Sequence, residues 1–294
     1  MQEKHVIIDV DPAIGVPLRD VDDAFAILLL LATTGITIDA VTVNFGNAPA
    51  LRGYQIAKEV LSIAGSDVPV FMGAKSRHEL GVSNPAVEHM IKLVNASPGK
   101  ISLLAVAPLT NVATAMMLDA AFARNLRELI IMGGSLEFKP FCERGEFNFK
   151  CDAPAASVVL AAPIKKTLIT MDVCSHTIFT RKHLAMLRGS SRAMAQYCAK
   201  RIPLWLLVNQ IYFHGSGFYP WDPVAAAYLT DPSLFDENQC TFSLVQEGRY
   251  SGKIVGFRKH PNLSPGDSTI PINIPLQLEG ERFMKMFIER ILSI

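Results

Sequence analysis

Cysteine is scarce in this chain and poorly placed for pairing. Its 294 residues hold five, Cys142, Cys151, Cys174, Cys198 and Cys240, with no CxxC spacing among them. That pattern argues against a disulfide frame or a cysteine zinc site and points to free thiols in a reducing compartment. An excess of either charge is also missing. Lys and Arg total 28 against 27 Asp and Glu, a formal net charge of +1, so nothing suggests a nucleic-acid partner or a basic membrane-binding segment. No apolar run approaches the about 20 residues needed to cross a bilayer. The longest, AFAILLLLA at 24–32, reads as a buried helix. The opening residues MQEKHVIIDV enter a strand-like run without a signal-peptide layout, so a cytoplasmic location is expected. Repeats, low-complexity tracts and linkers are absent too. With half of its residues hydrophobic and 19% charged, the chain suits one soluble domain, residues 1–294, near the upper size limit for a single core.

What is present is alternation. HVIIDV (5–10), ITIDAVTV (36–43), VPVFMG, ISLLAVA (101–107), LIIMGG (129–134) and KTLITMDV (166–173) read as buried strands, being short, apolar and β-branched. Between them lie helical patterns: AFAILLLLA, ALRGYQIAKEVLSIAG (50–65, ended by Gly65), a segment near 85–96, TNVATAMMLD, and 153–162. Strand–helix alternation predicts an α/β fold with an open, mainly parallel, Rossmann-like sheet flanked by helices. Residues 181–230 predict a more helical C-terminal part. TFSLVQEGRYSGKIVGF predicts a hairpin, and 280–292 a final helix.

One stretch is at odds with ordinary electrostatics. DVDPAIGVPLRDVDD, Asp9 to Asp23, places five aspartates between two apolar runs. Ligands of open α/β sheets bind outside the carboxyl ends of the strands. Polar and glycine-rich residues collect at those ends here: Asp9-Val-Asp11, Asn44 to Asn47, Ala107 to Asn111, Gly133-Gly134 and Asp172. Asp9 and Asp11 share one side of a strand end, and Asp22 and Asp23 open the next helix, where acidic residues suit the dipole. Either a hard cation such as Ca²⁺ or Mg²⁺ neutralises the group through oxygen ligands, or the segment is a solvated loop with a helix cap.

Six blocks in order, IIDVDP with DVDDAFAILL, TVNFGN, AVAPLTN, IIMGG, GEFNFKCDAPAA and WDPVAAAYLTDP, resemble the inosine–uridine-type nucleoside hydrolases. The resemblance runs from the first strand to about residue 233 and more weakly beyond. It implies an enzyme that cleaves the N-glycosidic bond of ribonucleosides to ribose and free base, with a bound Ca²⁺. Carried over by position, Asp11, Asp23, the backbone carbonyl of Val106 and Asp222 would hold the cation. Asp22, Asn47, Glu146, Asn148 and Asp222 would bind the ribose hydroxyls, and Asp11 would act as general base on a water at the cation. Asp9 would then support the strand end, and Asp20 would be a loop or capping residue. The segment from Trp205 to Trp221 resembles the part that covers the base, which makes Trp221, Trp205, Asn209, Phe213 and His214 candidate base contacts. Gly215 and Gly217 would let it move as a lid. The family commonly forms homodimers or homotetramers.

Departures from the family pattern qualify this reading. AIGVPLR (13–19) is inserted before the acidic pair; it is expected to bulge outward and leave Asp22 and Asp23 in place. A His-bearing loop before the fourth strand is missing, and His78 reads as a surface residue. Pro140 falls where an asparagine usually helps hold the 5′-hydroxyl, leaving Glu146 alone or with Lys139 or Glu143. Trp221 replaces a histidine that can protonate the leaving group. Trp-Asp here is similar to the purine-preferring branch, so a purine preference is expected, with stacking on Trp221; a core-packing Trp is the plainer alternative. His214 could replace the missing acid, although a lone loop histidine is more often solvated. Two other readings stand beside catalysis on standard nucleosides: a non-catalytic nucleoside- or metal-binding protein of the same fold, and a hydrolase of another N-riboside. A haloacid-dehalogenase-like phosphatase shares the Asp-x-Asp but not Pro12 or the later blocks.

Overall fold

Residues 3–139, 141–212, 215–259 and 271–294 are described in a computed structural model of the chain. The expected apolar runs form six parallel strands: β1 (Lys4–Val10), β2 (Ile36–Val43), β3 (Val70–Met72), β4 (Ile101–Ala105), β5 (Glu128–Met132) and β6 (Lys166–Ile169). They lie side by side as β3-β2-β1-β4-β5-β6. This is the doubly wound order, in which the direction of winding reverses between β1 and β4. Beyond β6 follow β11 (Ile272–Asn273), parallel to it, then β9 (Gln239–Leu244) and β10 (Ile254–Lys259), the expected hairpin, as antiparallel additions. β7 (Phe179–Thr180) and β8 (Gly217–Phe218) form a separate two-stranded ribbon.

The flanking helices are α1 (Asp22–Leu31), α2 (Ala50–Ile63), α3 (Pro85–Ala96), α4 (Thr110–Leu118), α5 (Phe122–Asn125), α6 (Phe141–Arg144), α7 (Phe147–Cys151), α8 (Ala153–Ala161) and α9 (Met171–Cys174). The C-terminal part is as helical as predicted, with α10 (Arg181–Gly189), α11 (Ala193–Tyr212), α12 (Trp221–Thr230) and α13 (Gly280–Ser293). Strand side chains alternate between two cores. Ile8, Val10, Val41 and Val43 pack with Phe25 of α1, Val224 of α12 and Phe287 of α13. Ile7, Leu103, Ala105 and Ile131 pack on the other face with Val87, Val112 and Val159 of α3, α4 and α8. Helix α1 is buried all round: Phe25, Ile27, Leu28, Leu29 and Leu30 are fully enclosed. At roughly 1.5–3 kcal/mol per large apolar side chain, that burial fixes the first turn of α1, and with it Asp22 and Asp23, at the edge of the sheet. Among the described residues no helix is long and apolar enough to cross a membrane.

One expected strand is shorter than its sequence pattern. The pattern of KTLITMDV predicts a strand to residue 173, but β6 stops at Ile169, and Met171–Cys174 turn into α9. The neighbouring strand explains it. β5 ends at Met132 and is followed by Gly133-Gly134, so the ladder has no partner past Ile169, and the Met171 N–H bonds instead to the Gly134 carbonyl at 3.1 Å.

Candidate active site

The reversal of winding between β1 and β4 opens a crevice at their carboxyl ends, and the acidic residues enter it from three elements. Asp9 lies at the end of β1, fully buried, and its Oδ1 accepts from Thr42 Oγ1 at 2.7 Å and Asn111 Nδ2 at 2.9 Å. Burial pushes its carboxyl up to about 7. Two residues on, the Asp11 N–H donates to Asp23 Oδ1 at 2.8 Å, while Asp11 Oδ2 accepts from the Asn47 N–H at 2.5 Å. Gly46 makes that approach possible: a Cβ there would stand 1.8 Å from Asp11 Oδ2. From the far end of the chain, the first turn of α12 brings the Asp222 N–H to Asp22 Oδ2 at 3.2 Å. Carboxylate oxygens of Asp22, Asp23 and Asp222 lie within 4.8 Å of one another.

So many carboxylates repel strongly. Two unit charges 4 Å apart oppose each other by about 4 kcal/mol at an effective dielectric of 20. Burial, then the neighbouring carboxylates, raise Asp11 and Asp222 well above the ordinary carboxylate range, and the same causes raise Asp20 and Asp23. Burial raises Asp22 as well, against the hydrogen bonds it receives. Asp11 Oδ1 and Asp23 Oδ2 are sealed from solvent, and no donor reaches them among the described residues. Buried carboxylate oxygens without donors are expensive unless something positive is shared between them. The donor set is all oxygen, which fits a hard divalent cation.

Above the carboxylates lies a cavity of about 580 Å³. Its polar floor is formed by Asp20, Asp22, Asn47, Glu146, Asn148 and Asp222. The Asn148 amide nitrogen donates to the carbonyls of Val106 at 3.1 Å and Met132 at 3.2 Å. Glu146 caps α7, accepting from the N–H groups of Gly134 at 3.0 Å, Asn148 at 2.7 Å and Phe149 at 3.1 Å. The facing wall is aromatic. Phe138 meets Tyr219 edge-on at 5.4 Å and Trp221 at 5.7 Å, and Tyr219 and Trp221 lie 4.9 Å apart. Asp172, at the start of α9, holds this wall: its carboxylate accepts the N–H groups of Leu136, Glu137 and Phe138 at 2.7–2.9 Å.

The sequence model of the inosine-uridine preferring nucleoside hydrolases matches residues 6–285 of this chain. The chain belongs to this family. Among curated relatives, the pyrimidine-specific ribonucleoside hydrolase RihA of Photobacterium profundum is 25% identical, with 98% of each protein covered. The non-specific ribonucleoside hydrolase RihC of Salmonella newport is 26% identical over 84% of this chain and 85% of its own. In fold, a purine-preferring ribonucleoside hydrolase from Gardnerella vaginalis superposes with a TM-score of 0.85 at 20% identity, covering 99% of this chain and 98% of its own.

Asp22, Asn47, Val106, Glu146, Asn148, Trp205, Asn209, Trp221 and Asp222 all line the cavity, and Asp11 and Asp23 lie buried beneath it. Phe213, His214 and Pro140 fall outside the described residues. His78 is exposed in a short 3₁₀ turn. The three-carboxylate cluster groups Asp22 with Asp23 and Asp222, so the residue that the resemblance gives to ribose is also within reach of a cation at the other two. The insert does leave Asp22 and Asp23 in place, but it bulges only in part. Ala13 and Ile14 are buried, and Gly15, at φ +87°, lies against the Arg201 side chain of α11. Asp20, read as a loop or capping residue, lines the cavity. Sequence reasoning passed over Phe138, Phe141, Phe147 and Tyr219 as cavity residues. The signal for them was aromatic density in EFKPFCERGEFNF and GFYPW, which no periodicity marks.

Proposed function

We propose that this nucleoside hydrolase cleaves the N-glycosidic bond of ribonucleosides, giving ribose and free base, with a Ca²⁺ bound at the carboxylate cluster. The observation that carries the reading is the convergence of Asp11, Asp22, Asp23 and Asp222 beneath a cavity of about 580 Å³ whose facing wall is aromatic. Asp11, Asp23, Asp222 and the Val106 carbonyl would hold the cation. When bound, the cation supplies positive charge that lowers the pKa of a water and orients it. Asp11 takes the proton of the attacking water as general base. The water oxygen bonds to C1′ as the C1′–N bond breaks; the electron pair of that bond leaves with the base, which takes up a proton from solvent, and Asp11 later returns its proton to solvent. Positive charge that develops on the sugar during this step faces the buried carboxylates.

Asp22, Asn47, Glu146, Asn148 and Asp222 position the ribose. Since the Asn148 amide nitrogen is committed to two carbonyls, its Oδ1 is the end that accepts from a sugar hydroxyl. Glu146, with three backbone donors already, keeps lone-pair capacity for the 5′-hydroxyl. Holding the sugar in this way supplies orientation, which is a large part of the rate gain in such sites. Phe138, Tyr219 and Trp221 offer the base an aromatic face, worth roughly 1–3 kcal/mol per stacked base; the larger purine ring system gains more from it. On that ground we propose a purine preference and a salvage role, with the whole chain acting as one cytoplasmic domain in a homodimer or homotetramer. A pyrimidine preference is the second reading, favoured by the likeness to a relative named pyrimidine-specific.

Free-base release from inosine, adenosine, guanosine, uridine and cytidine, with Ca²⁺ and with chelator, tests all of this. Chelator-sensitive release from purines first supports the proposal. Release from pyrimidines first keeps the reaction and replaces the preference. No release from any nucleoside would leave a binding protein or a hydrolase of another N-riboside.

A further inference from the structure

Away from the cavity, the charge balance of the chain breaks down at one place. The end of α6, the end of α7 and the turn between β9 and β10 enclose a cleft of about 670 Å³ lined by Glu143, Arg144, Lys150, Arg249, Tyr250 and Lys253. Four cations meet one carboxylate there, in a chain whose charges as a whole nearly cancel. Glu143 does not answer them, since its ion pair is with Lys139, at 3.9 Å. Among the described residues no carboxylate oxygen lies within 4.0 Å of the charged nitrogens of Arg144, Lys150, Arg249 or Lys253. Like charges gathered without counterions repel each other, and the backbone is what holds these together. Within the turn, the Gly252 N–H bonds to the Val245 carbonyl at 2.7 Å and the Lys253 N–H to the Tyr250 carbonyl at 3.0 Å. Two glycines, both at φ +82°, seat the turn on the α6–α7 segment. A Cβ on Gly252 would stand 2.5 Å from the Lys150 nitrogen, and one on Gly145 would stand 2.6 Å from the Ser251 carbonyl oxygen. Lys150 on one side and Arg249 and Lys253 on the other are therefore carried on backbones that meet too closely for a side chain to part them. Tyr250, half exposed, has the Arg249 guanidinium and the Lys253 ammonium each 5.8 Å from its ring centre, within cation–π reach.

The geometry points to a binding site for a small, soluble phosphate-bearing anion in this cleft. Arg144 and Arg249 offer paired N–H donors, and Lys150 and Lys253 offer point charges. A phosphate ester carries a charge of about −1.5 to −2 near neutral pH and three acceptor oxygens, which suits four converging cations better than a single carboxylate would. Helix α7 joins the cleft to the cavity. Lys150 lies near its C-terminal end, while Asn148 and the capping Glu146 line the cavity. A phosphate held between Lys150 and the β9–β10 turn clamps α7, and so tightens the binding of a nucleoside at Glu146 and Asn148. By linkage the nucleoside tightens the phosphate by the same factor. The clamp rests on the nucleoside reading proposed above; the phosphate site does not.

The test is calorimetric titration of inorganic phosphate into the Ca²⁺-loaded protein at constant ionic strength. Lys150→Gln combined with Lys253→Gln should weaken binding about tenfold or more, the scale of one hydrogen bond to a charged group. Lys100→Gln combined with Lys200→Gln removes the same charge from exposed positions elsewhere and should leave the affinity nearly unchanged. None of these four lysines is buried, so both double variants should fold. Equal weakening in the two would reduce the cleft to diffuse charge, and undiminished binding in the first would place the phosphate at the bound cation. Either result overturns the site, as does the absence of any binding. Retention on phosphatidylglycerol vesicles without binding of free phosphate would overturn it too, in favour of a lipid headgroup. The clamp is read separately, as a fall in KM for inosine with added phosphate that the Lys150–Lys253 double variant loses. Phosphate that binds without moving KM would uphold the site and overturn the clamp. No base released under any condition would overturn hydrolysis and leave the phosphate titration standing.

Discussion

Asp11 carries the heaviest share of the proposed chemistry, and single substitutions around it are diagnostic. Asp11→Ala should lower kcat by about 10²–10⁴, the usual contribution of a general acid or base, with any weakening of the cation adding to the loss. Wild-type turnover in that variant would remove the mechanism. Gly46→Ala tests the same carboxylate from outside. A Cβ at 1.8 Å from Asp11 Oδ2 has to push that oxygen aside, so calorimetric titration should show Ca²⁺ affinity falling by about tenfold or more; an unchanged affinity would separate Asp11 from the cation. On the aromatic wall, Trp221→Ala should harm inosine more than uridine, because the larger ring system loses more stacking surface. Equal losses on the two would place Trp221 in the core alone. Of the floor, Asp22 and Asn47 were legible because one opens a helix and the other follows a strand end; Glu146, Asn148 and Asp222 were legible only through the family resemblance, and Asp20 was expected in a loop or cap. Phe138 was not legible, since its place depends on Asp172, 34 residues away.

That dependence belongs to the scale of elements. α9 presents Asp172 to three successive backbone N–H groups of residues 136–138, so one side chain fixes the segment that carries Phe138. Asp172→Ala leaves those groups without their partner, and the wall should loosen while the floor stays. KM for the nucleoside should rise several-fold with a smaller change in kcat; a kcat loss with KM unchanged would contradict this division. The sequence pattern missed α9 because TLITMDV alternates like a strand, and what ended the strand was the length of its neighbour β5, a tertiary fact. The insert shows a similar limit. Gly15 and Pro17 announce a turn, but only the packed structure shows Gly15 against Arg201, whose guanidinium lies 3.6 Å from the Tyr197 ring and pairs with Glu59 at 3.0 Å. The inserted loop is thereby tied to α11, the helix that bears Trp205 and Asn209.

For the whole molecule, the buried carboxylates link stability to pH with an unusual sign. Asp9 rises to about 7 and Asp23 to about 8 from an ordinary 3.8, and Asp11 and Asp222 move the same way. Between those limits the folded cation-free protein binds more protons than the unfolded chain, so its stability falls as pH rises from about 4 to about 8. A cation replaces those protons and binds more tightly as pH rises. Melting scans with chelator should therefore show Tm declining from pH 5 to pH 8, and the Tm gain on adding Ca²⁺ should be larger at pH 8. A chelated protein that grows more stable over this range would refute the electrostatic account.

The hydrogen bond between Asp22 and Asp222 spans 200 residues of chain, and this sets when during folding the cation can be captured. Its ligands come together only after α12 has docked on α1, and closing so long a loop is a late and slow event. A cation recruited after the rate-limiting barrier stabilises the native state without stabilising the transition state. Ca²⁺ should then slow unfolding in proportion to its concentration and leave the refolding rate nearly unchanged, a partition that stopped-flow measurements on the two limbs would read directly.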